Sequence, residues 1–548
     1  MEDKTVEKAF LSELESLEKF RISYTGMYPQ VPLAREDPDV RRLIEALAFF
    51  SARTRVAAER TVNESLLRLF RQHFPFALNP MPAMVMLQGE TTARFVDTVE
   101  VPRGTEIMVE RPSMQARGVF RFRTLTPMRV LPIEIVGLKA IVIRNQVRRI
   151  VIQVESAFPR NDEIGTLSLH INHLNDLFAS MTVMYAMRTH VTGASIVWSD
   201  VVQESTQGSP CEIAYGATEV PSEQLDSYEH PIQQFRSFVH FPQAELFVHL
   251  KNVAPPRNWQ KFSIVLDLDD QWPIELRLTR DTFALNVVPM INLRRDMANP
   301  IECDGTKERY LVTHPDTSAR YAPHSFLGVY EMNDKLGMVP IEPGVLGPTS
   351  AGYEVSFEGR DEHRRGWVHL DLPGAFEQPK RVAVEGYWMQ PGIHGAQADE
   401  LKARPADRHV EGVKWSCCGA FASPTVNSLE DDRDGLLAMM ALKSQRFLSL
   451  DDLTFLVRAL GAAQRAELAR LINNLKSVEL GTKPAGRKTS GICYVYRLQF
   501  DDLDTSDMPR LDLFCAKLLK LLSSWSIEQV IEIVAVVPRL GKELRYAE

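Results

Sequence analysis

The spacing of hydrophobic residues along the chain changes after about the first 75 residues. Over roughly the first 75 residues, apolar side chains recur every three or four positions, which predicts one helix from about Lys4 to Tyr24 and another from Asp37 to about His73. The start of the second helix is well marked, because Asp37 can accept a hydrogen bond from a free backbone N–H and Pro38 fits the first turn. The prolines of FPFALNPMPAM then end the helical pattern.

The second predicted helix is apolar on more than one side. At about 100° per residue, one stripe forms the expected core face: Val40, Leu43, Ile44, Leu47, Ser51 and Thr54. Phe49, Val56 and Leu67 fall on the opposite side, among charged residues. A later segment of the same chain could cover this side, or the helix could break before Leu67. The third explanation is a partner surface, and Phe49, Val56 and Leu67 are its candidate residues.

Beyond the prolines, short runs of alternating apolar and polar residues predict strands, with helices near Leu174–Arg188 and Pro231–Phe238. The last section predicts further helices, a strand pair around GTKPAGRKTSG and two closing helices between Arg510 and Val536. We therefore expect a multidomain α+β fold with these parts: a helical region 1–78, a mixed α+β domain 79–286, a β-rich domain with long loops 287–425 and a C-terminal α/β domain 426–548.

Composition is that of an ordinary globular protein. The 548 residues are 45% hydrophobic and 24% charged, which argues against disorder and fibrous classes. The net charge of -8 provides no general reason to bind nucleic acid or anionic lipid. The sequence shows no secretory signal, no run of ~20 apolar residues and no CxxC pair among its scattered cysteines. We expect a soluble cytoplasmic protein with reduced thiols.

Four stretches resemble chemical motifs, and each lacks a defining feature. In GTKPAGRKTS, Arg487 separates the second glycine from Lys-Thr, unlike a P-loop, and EDDRDG places Ala441 where a calcium loop requires Glu. The pair His170 and His173 lacks a further metal ligand, which favours two surface histidines. Asp267 and Asp269 have no recognisable acid or base partner. We expect no catalytic residue, no metal ligand and no cofactor.

Several motifs follow one another in the order of a known family. They begin with DPDVRRLIEALAFFSARTR and FPFALNPMPAM, continue with VPRGTEI and FRFRTLTPMRVLPIEI, and end with AELFVHL, VVPMINLRRDMANPIECDG and GVYEMND. Over about residues 35–335 the chain resembles the TssF family (also called VasA or ImpG), the baseplate wedge subunits of bacterial type VI secretion systems. After residue 335, YWMQPGIHGAQ and WSCCGAFASPTVNSLEDD depart from the family pattern.

The resemblance implies a structural protein in the cytoplasm, assembled at the inner face of the cytoplasmic membrane through the baseplate. It implies a TssG-like wedge partner, TssK-like and sheath-linked TssE-like subunits, more than one copy per wedge, and support of tail tube and sheath assembly. It implies no catalysis, no nucleic acid and no direct membrane insertion. The alternatives are an enzyme hidden in the β-rich middle, which would have a pocket with convergent polar groups, and a free adaptor outside any secretion machine.

Overall fold

The computed structural model divides the chain into two compact units. It describes residues 2–30, 37–74, 76–92, 94–112, 118–144, 146–218, 220, 230–333, 336–344, 351–406, 410–445, 447–484, 492–525 and 530–547. The first unit contains Met1–Pro75 and Ser428–Ala441, and the second contains Phe76–Asn427 and Leu442–Glu548. Long helices begin the chain and strands fill its middle, which confirms the predicted α+β class.

The helices of the described residues are α1 Glu2–Met27, α2 Pro38–His73, α3 Leu177–His190, α4 Pro231–His240, α5 Arg433–Lys443, α6 Leu450–Ala459, α7 Ala466–Asn473 and α8 Met508–Trp525. The predicted start of α2 is confirmed, because the Asp37 carboxylate accepts a hydrogen bond from the Asp39 N–H at 3.0 Å. The helix runs unbroken to His73, so it does not end before Leu67.

The first fourteen strands are β1 Met84–Thr91, β2 Val99–Val101, β3 Glu106–Glu110, β4 Val119–Thr124, β5 Met128–Val130, β6 Ile133–Ile143, β7 Gln146–Arg160, β8 Gly165–Ile171, β9 Val191–Val197, β10 Ser209–Tyr215, β11 Phe247–Val253, β12 Trp259–Leu268, β13 Phe283–Ala284 and β14 Val287–Ile291. The later strands are β15 Arg294–Met297, β16 Ile301–Cys303, β17 Tyr310–Val312, β18 Ala322–Asn333, β19 Gly337–Pro343, β20 Gly352–Glu358, β21 Arg365–Asp371, β22 Lys380–Met389, β23 Lys402–Pro405, β24 Val413–Ala422, β25 Leu475–Pro484, β26 Ile492–Phe500, β27 Val530–Val537 and β28 Lys542–Ala547.

These strands form a closed barrel and several open sheets. The barrel has the order β1-β14-β4-β3-β23-β24, so it combines strands from both sides of the boundary expected at 286/287. One eight-stranded sheet has the order β13-β8-β11-β10-β9-β12-β7-β6. A second has the order β15-β22-β18-β19-β20-β21-β17, with β16 also paired to β22, and β2 pairs with β5. The C-terminal sheet has the order β25-β26-β27-β28.

Strand β1 is buried on both faces. Val85 and Leu87 point into the barrel core, where they join Ile107, Phe122 and Met290 among others. The alternating residues Met84 and Met86 belong to a second core with Phe247, Ile291 and Tyr387. Because successive side chains of a strand point to opposite faces, burial on both sides requires the continuous apolar run MVML instead of an alternating pattern.

The last predicted helix is wrong. The segment Val530–Val537 is strand β27, which runs parallel to β26 and is connected to it through helix α8. Six of its eight residues are β-branched, and such side chains lose rotamer freedom in a helix but pack well on a sheet. The strand is mostly buried, which explains its lack of a clear alternation.

The entry segment, Phe76–Pro82, leads into β1 without belonging to a helix or strand. Arg236 on α4 donates hydrogen bonds to the carbonyls of Phe76 and Asn79, and Asn427 donates to the carbonyl of Ala77. The side chains of Arg236 and Asn427 are buried. A buried carbonyl without a partner costs free energy, so these long-range contacts hold the segment in place.

Two buried histidines complete this arrangement. His324 on β18 places Nε2 3.1 Å from the carbonyl of Pro80, and His240 at the end of α4 places Nε2 2.9 Å from the carbonyl of Pro82. An imidazole nitrogen facing a carbonyl must carry the proton, so both rings donate from Nε2. Burial lowers the pKa of His324 to about 3 and that of His240 to about 4, so both side chains are neutral.

We expect acid to destabilise the second unit through its buried histidines. Burial lowers the pKa of His170, His240 and His324 to about 4, 4 and 3, whereas the ordinary value is 6.5. The unfolded chain takes up these protons near pH 6.5 and the folded chain does not, so the free energy of unfolding falls as the pH drops from 6.5 toward the folded pKa values. At about pH 5, each histidine costs on the order of 1–2 kcal/mol. Urea denaturation at neutral pH and at about pH 5 measures the loss.

His324→Gln is the matched variant for this prediction. Glutamine keeps an N–H donor for the Pro80 carbonyl but does not titrate, so the variant should lose part of the pH dependence. Equal urea midpoints at both pH values would contradict the prediction.

Removing the Arg236 guanidinium should destabilise the second unit. Arg236→Met leaves the buried carbonyls of Phe76 and Asn79 without their donor, which should lower the free energy of unfolding by about 3 kcal/mol. The exposed Arg277 offers a control, since Arg277→Met should change this free energy by less than about 0.5 kcal/mol. Urea unfolding of both variants measures the difference, and equal stabilities would show that the entry segment does not depend on Arg236.

Candidate partner interface

Helices α1 and α2 pack against each other in the first unit. Glu13 on α1 accepts hydrogen bonds from Ser51 and Arg55 on α2, each at 3.1 Å. On a helical wheel, the fully buried Ala48 and Ala52 lie between these two residues and Phe49, whose ring meets Phe10 of α1. Small side chains at these positions let the two helix backbones approach closely.

The helix pair has almost no apolar core of its own. None of the α1 side chains that the structure describes, from Val6 to Met27, is buried. Leu11, Phe20, Ile22 and Met27 are all exposed, although they are large and hydrophobic. On a helical wheel, Leu11 and Ile22 share one side of α1 and Phe20 and Met27 the other, so apolar surface is exposed on two sides of the helix.

The stripe expected to be the core face of α2 is largely exposed. We name Leu43, Leu47 and Phe50 the outer face of α2; they are 61%, 50% and 66% exposed. Ser51 and Thr54 are exposed too, and only Val40 and Ile44 are half-buried. The prediction is wrong because the buried face runs through Ala48, Ala52, Leu66 and Phe70, roughly opposite the outer face on the helical wheel.

The candidate residues Phe49, Val56 and Leu67 lie on the flank of that buried face. Phe49 is 43% exposed, and its ring meets that of Phe10 on α1 edge-on, with 6.5 Å between centroids. The guanidinium of Arg53 also lies 5.8 Å from the centre of the Phe49 ring. Val56 and Leu67 are half-buried. Phe49 therefore packs partly within the chain, and the structure does not bring all three residues together as one exposed patch.

An aromatic row on α1 was missed by the sequence analysis. Phe20, Tyr24 and Tyr28 follow one another at a spacing of four residues, with ring centroids 6.0 and 5.0 Å apart. Phe20 and Tyr28 are exposed. Their i, i+4, i+8 spacing is visible in the sequence and could have identified the row, because residues four apart share one side of a helix.

Ion pairs fix charged residues around the exposed apolar side chains. Glu59 and Glu13 raise the pKa of Arg55 through hydrogen bonds and charge. At the end of α2, Arg71 lies 2.7 Å from Glu430, which belongs to the same unit. Burial lowers the pKa of Arg71, and Glu430 offsets part of that effect. Removal of either partner would leave the other as an uncompensated, largely buried charge, so the pair holds the end of the helix against Glu430.

The histidines of HINH are not surface residues, contrary to the prediction. His170 lies on β8 and His173 in a short turn after it, and both are buried. The ring of His170 packs against Phe247, with 4.9 Å between centroids, and His173 Nδ1 lies 3.0 Å from Thr282 Oγ1. Both rings therefore serve the packing of the first eight-stranded sheet.

The acidic stretches have structural partners. Asp267 pairs with Arg149 at 2.7 Å, and Asp269 pairs with His190 at 3.1 Å. In EDDRDG, the Asp432 carboxylate accepts a hydrogen bond from the N–H of Gly435, which lies in the first turn of α5. The segment 485–491, which contains most of the P-loop-like sequence, lies outside the described residues.

Two kinds of site are absent from the part of the chain that the structure describes. Within it, no three His, Cys, Asp or Glu side chains are grouped closely enough to hold a metal ion. None of its helices is both long and apolar enough to cross a membrane. All six cysteines are free thiols, and four of them are buried.

The fold and the sequence both have known counterparts. The chain aligns over 93% of its length with a chain of the TssK-TssF-TssG baseplate subcomplex of the type VI secretion system, with a TM-score of 0.76 and 17% identity, and covers 98% of that chain. A chain of the type VI secretion baseplate complex aligns over 99% of this chain and 98% of its own length, with a TM-score of 0.60 and 14% identity. No curated protein is recognisably similar in sequence.

The sequence match identifies the family. Residues 30–343, more than half of the chain, match the family model described as "Type VI secretion system, TssF". This range contains the ordered motifs that gave the resemblance, from the start of α2 to the hairpin of β18 and β19. The chain therefore belongs to the TssF family, the structural baseplate subunits of the type VI secretion system.

Proposed function

We propose that the α1–α2 pair forms part of a helical bundle that a TssG-like wedge partner completes. The single observation that carries this proposal is the exposed outer face of α2, Leu43, Leu47 and Phe50, on a helix pair with almost no core of its own. Obligate interfaces resemble a domain core cut in half, and an apolar stripe on a long helix is the form that accepts another amphipathic helix.

The aromatic row of α1 supports the same proposal. Tyrosine and phenylalanine are enriched in the buried centre of interfaces, because they supply a large apolar area with few rotatable bonds. Phe20 on α1 and Tyr28, the residue directly after it, are such side chains, and both are exposed. We keep Phe49 as an interface candidate. Val56 and Leu67, which are half-buried, would add apolar contact at the border of the surface.

The wider assembly is part of the proposal. A related chain was solved in a complex named for TssK, TssF and TssG, which supports TssG-like and TssK-like partners for this chain. We further propose contact with a sheath-linked TssE-like subunit, more than one copy per wedge, and assembly at the inner face of the cytoplasmic membrane through the baseplate. In this role the chain acts as a scaffold for the tail tube and sheath and not as an enzyme.

Replacing an outer-face residue by a charge should break the complex with the TssG-like partner. Phe50→Asp should weaken binding by roughly thirtyfold or more, because a buried aromatic residue at the centre of an interface contributes about 2 kcal/mol or more. Since Phe50 is exposed, the free chain should keep its far-UV circular dichroism spectrum. Co-expression with the TssG-like subunit and co-purification measure the loss.

Phe376→Asp is the matched control, because Phe376 is 79% exposed but lies in the second unit, outside the helix pair. This variant should co-purify like the unmodified chain. Equal yields for Phe50→Asp and the unmodified chain would remove the outer face from the interface, and loss of the complex in both variants would show a nonspecific effect.

Phe49→Asp should affect both folding and binding. Because Phe49 also packs on Phe10, a charge there should lower the thermal stability of the helix pair as well as the yield of complex. Thermal unfolding of the free chain, followed by circular dichroism, separates the two effects. Unchanged stability together with normal complex formation would exclude Phe49 from both roles.

A further inference from the structure

Two adjoining cavities of the second unit share the residues Val239 and Arg465, and we name them together the Arg465 groove. The first, which we call the polar cavity, holds about 260 Å³, and its wall combines Ser423, Thr425 and Gln464 with apolar side chains such as Phe421 and Leu460. The apolar cavity holds about 160 Å³ and is lined mainly by hydrophobic side chains: Leu177, Phe178, Met181, Phe238, Leu468 and Leu513. The polar cavity and the apolar cavity thus lie side by side, and Arg465 lines both of them.

Arg465 carries a positive charge with no anion in ion-pair contact. It is the residue before α7, and its guanidinium donates a hydrogen bond to the backbone carbonyl of His240. Among the described residues, no carboxylate lies within ion-pair distance of it; Glu467 acts only through its charge at longer range. Burial lowers the pKa of Arg465, which shows that its charge is partly removed from water without full compensation.

Neighbouring arginines differ from Arg465 in this respect. Arg470, one turn along α7, lies 3.1 Å from a carboxylate oxygen of Asp507. Arg510, in the wall of the apolar cavity, lies 3.5 Å from the other oxygen of Asp507, and its guanidinium lies 4.1 Å from the centre of the Phe178 ring. Arg470 and Arg510 therefore have a carboxylate partner within the chain, and Arg465 has none in ion-pair contact.

We propose that the Arg465 groove docks a segment of a partner protein, in which an acidic side chain pairs with Arg465 and a neighbouring aliphatic side chain fills the apolar cavity. An acidic side chain suits Arg465 because the charges are opposite and a guanidinium can donate two parallel N–H hydrogen bonds to one carboxylate. The apolar slot selects a peptide over a free anion, because a small ion leaves that cavity empty. The groove lies in the second unit and does not depend on the proposed role of α1 and α2.

The polar wall gives the acidic group its remaining partners. Thr425 and Gln464 carry side chains that can donate hydrogen bonds, and both line the cavity next to Arg465. The opposite wall is rigid, since it contains Arg236 and Asn427, which hold the entry segment. A preformed pocket costs little conformational entropy on binding, which suits recognition of a short segment.

Short fluorescent peptides test this proposal with the full-length protein. Each peptide is acetylated and amidated, so that only its side chains carry charge, and the spacing between one Asp and one Leu varies across the set. We expect saturable binding by some of these peptides in fluorescence anisotropy. Asp→Asn in the peptide, or Arg465→Glu in the protein, should weaken binding roughly tenfold or more, because a charge-assisted hydrogen bond is lost.

Three further variants separate docking from folding. Arg465→Lys keeps the charge and should retain part of the binding, whereas Gln464→Trp should block the polar cavity without removing the Arg465 contact with the His240 carbonyl. Arg458→Glu is the control, because Arg458 is exposed on α6 and does not line either cavity. Its affinity for the peptides should stay within about twofold of the unmodified protein.

Several results would overturn the proposal. They are the absence of saturable binding by any acidic peptide, equal binding by Arg465→Glu, and equal binding of the Leu and Gly versions of a peptide. Competition by inorganic phosphate as strong as that by the best peptide would assign the groove to a free anion. Self-association of the protein that disappears in Arg465→Glu would assign it to a second copy of this chain.

Discussion

The second unit depends on satisfying the backbone carbonyls of its entry segment. Phe76–Pro82 includes two prolines, which lack N–H groups, and the segment forms no helix, so its buried carbonyls need donors from elsewhere in the chain. Those donors come from α4, from β18 and from the residue Asn427 after β24. One irregular segment thus joins elements that are far apart in sequence, and β1 begins directly after it, buried between two cores.

The same contacts shape the polar half of the Arg465 groove. Arg236, His240 and Asn427 form part of its wall while their polar atoms are held by the entry segment. These side chains are held by backbone carbonyls and cannot turn into the cavity, and none of them carries a negative charge that could neutralise Arg465. The fold therefore keeps Arg465 partly desolvated without an anionic partner. Binding sites often contain such groups, although pairing them within the chain would make the protein more stable.

The sequence predicted correctly those features that depend only on residues close together in the chain. Asp37 and Pro38 marked the start of α2 because capping involves only adjacent residues. The strand β27 was missed because a short apolar run has the same appearance in a buried strand and in a buried helix. The burial of His170 and the convergence on Arg465 were also missed, since both depend on residues far away along the chain. The family motifs could predict a role in the baseplate because they are spread over about 300 residues and so reflect the whole fold, not one local segment.

The outer face of α2 shows why a helical wheel alone misassigned the core. The rule that the most apolar stripe faces inward assumes that the chain buries its own hydrophobic surface. In α2 the intramolecular contact runs through Ala48 and Ala52, which bury little area, while Leu43, Leu47 and Phe50 remain exposed. Small side chains let two helices pack closely, whereas large apolar side chains fill the gap between helices that lie farther apart. A helix that carries both on different sides is suited to two neighbours: α1 is one of them, and the TssG-like partner is the second in the proposed wedge.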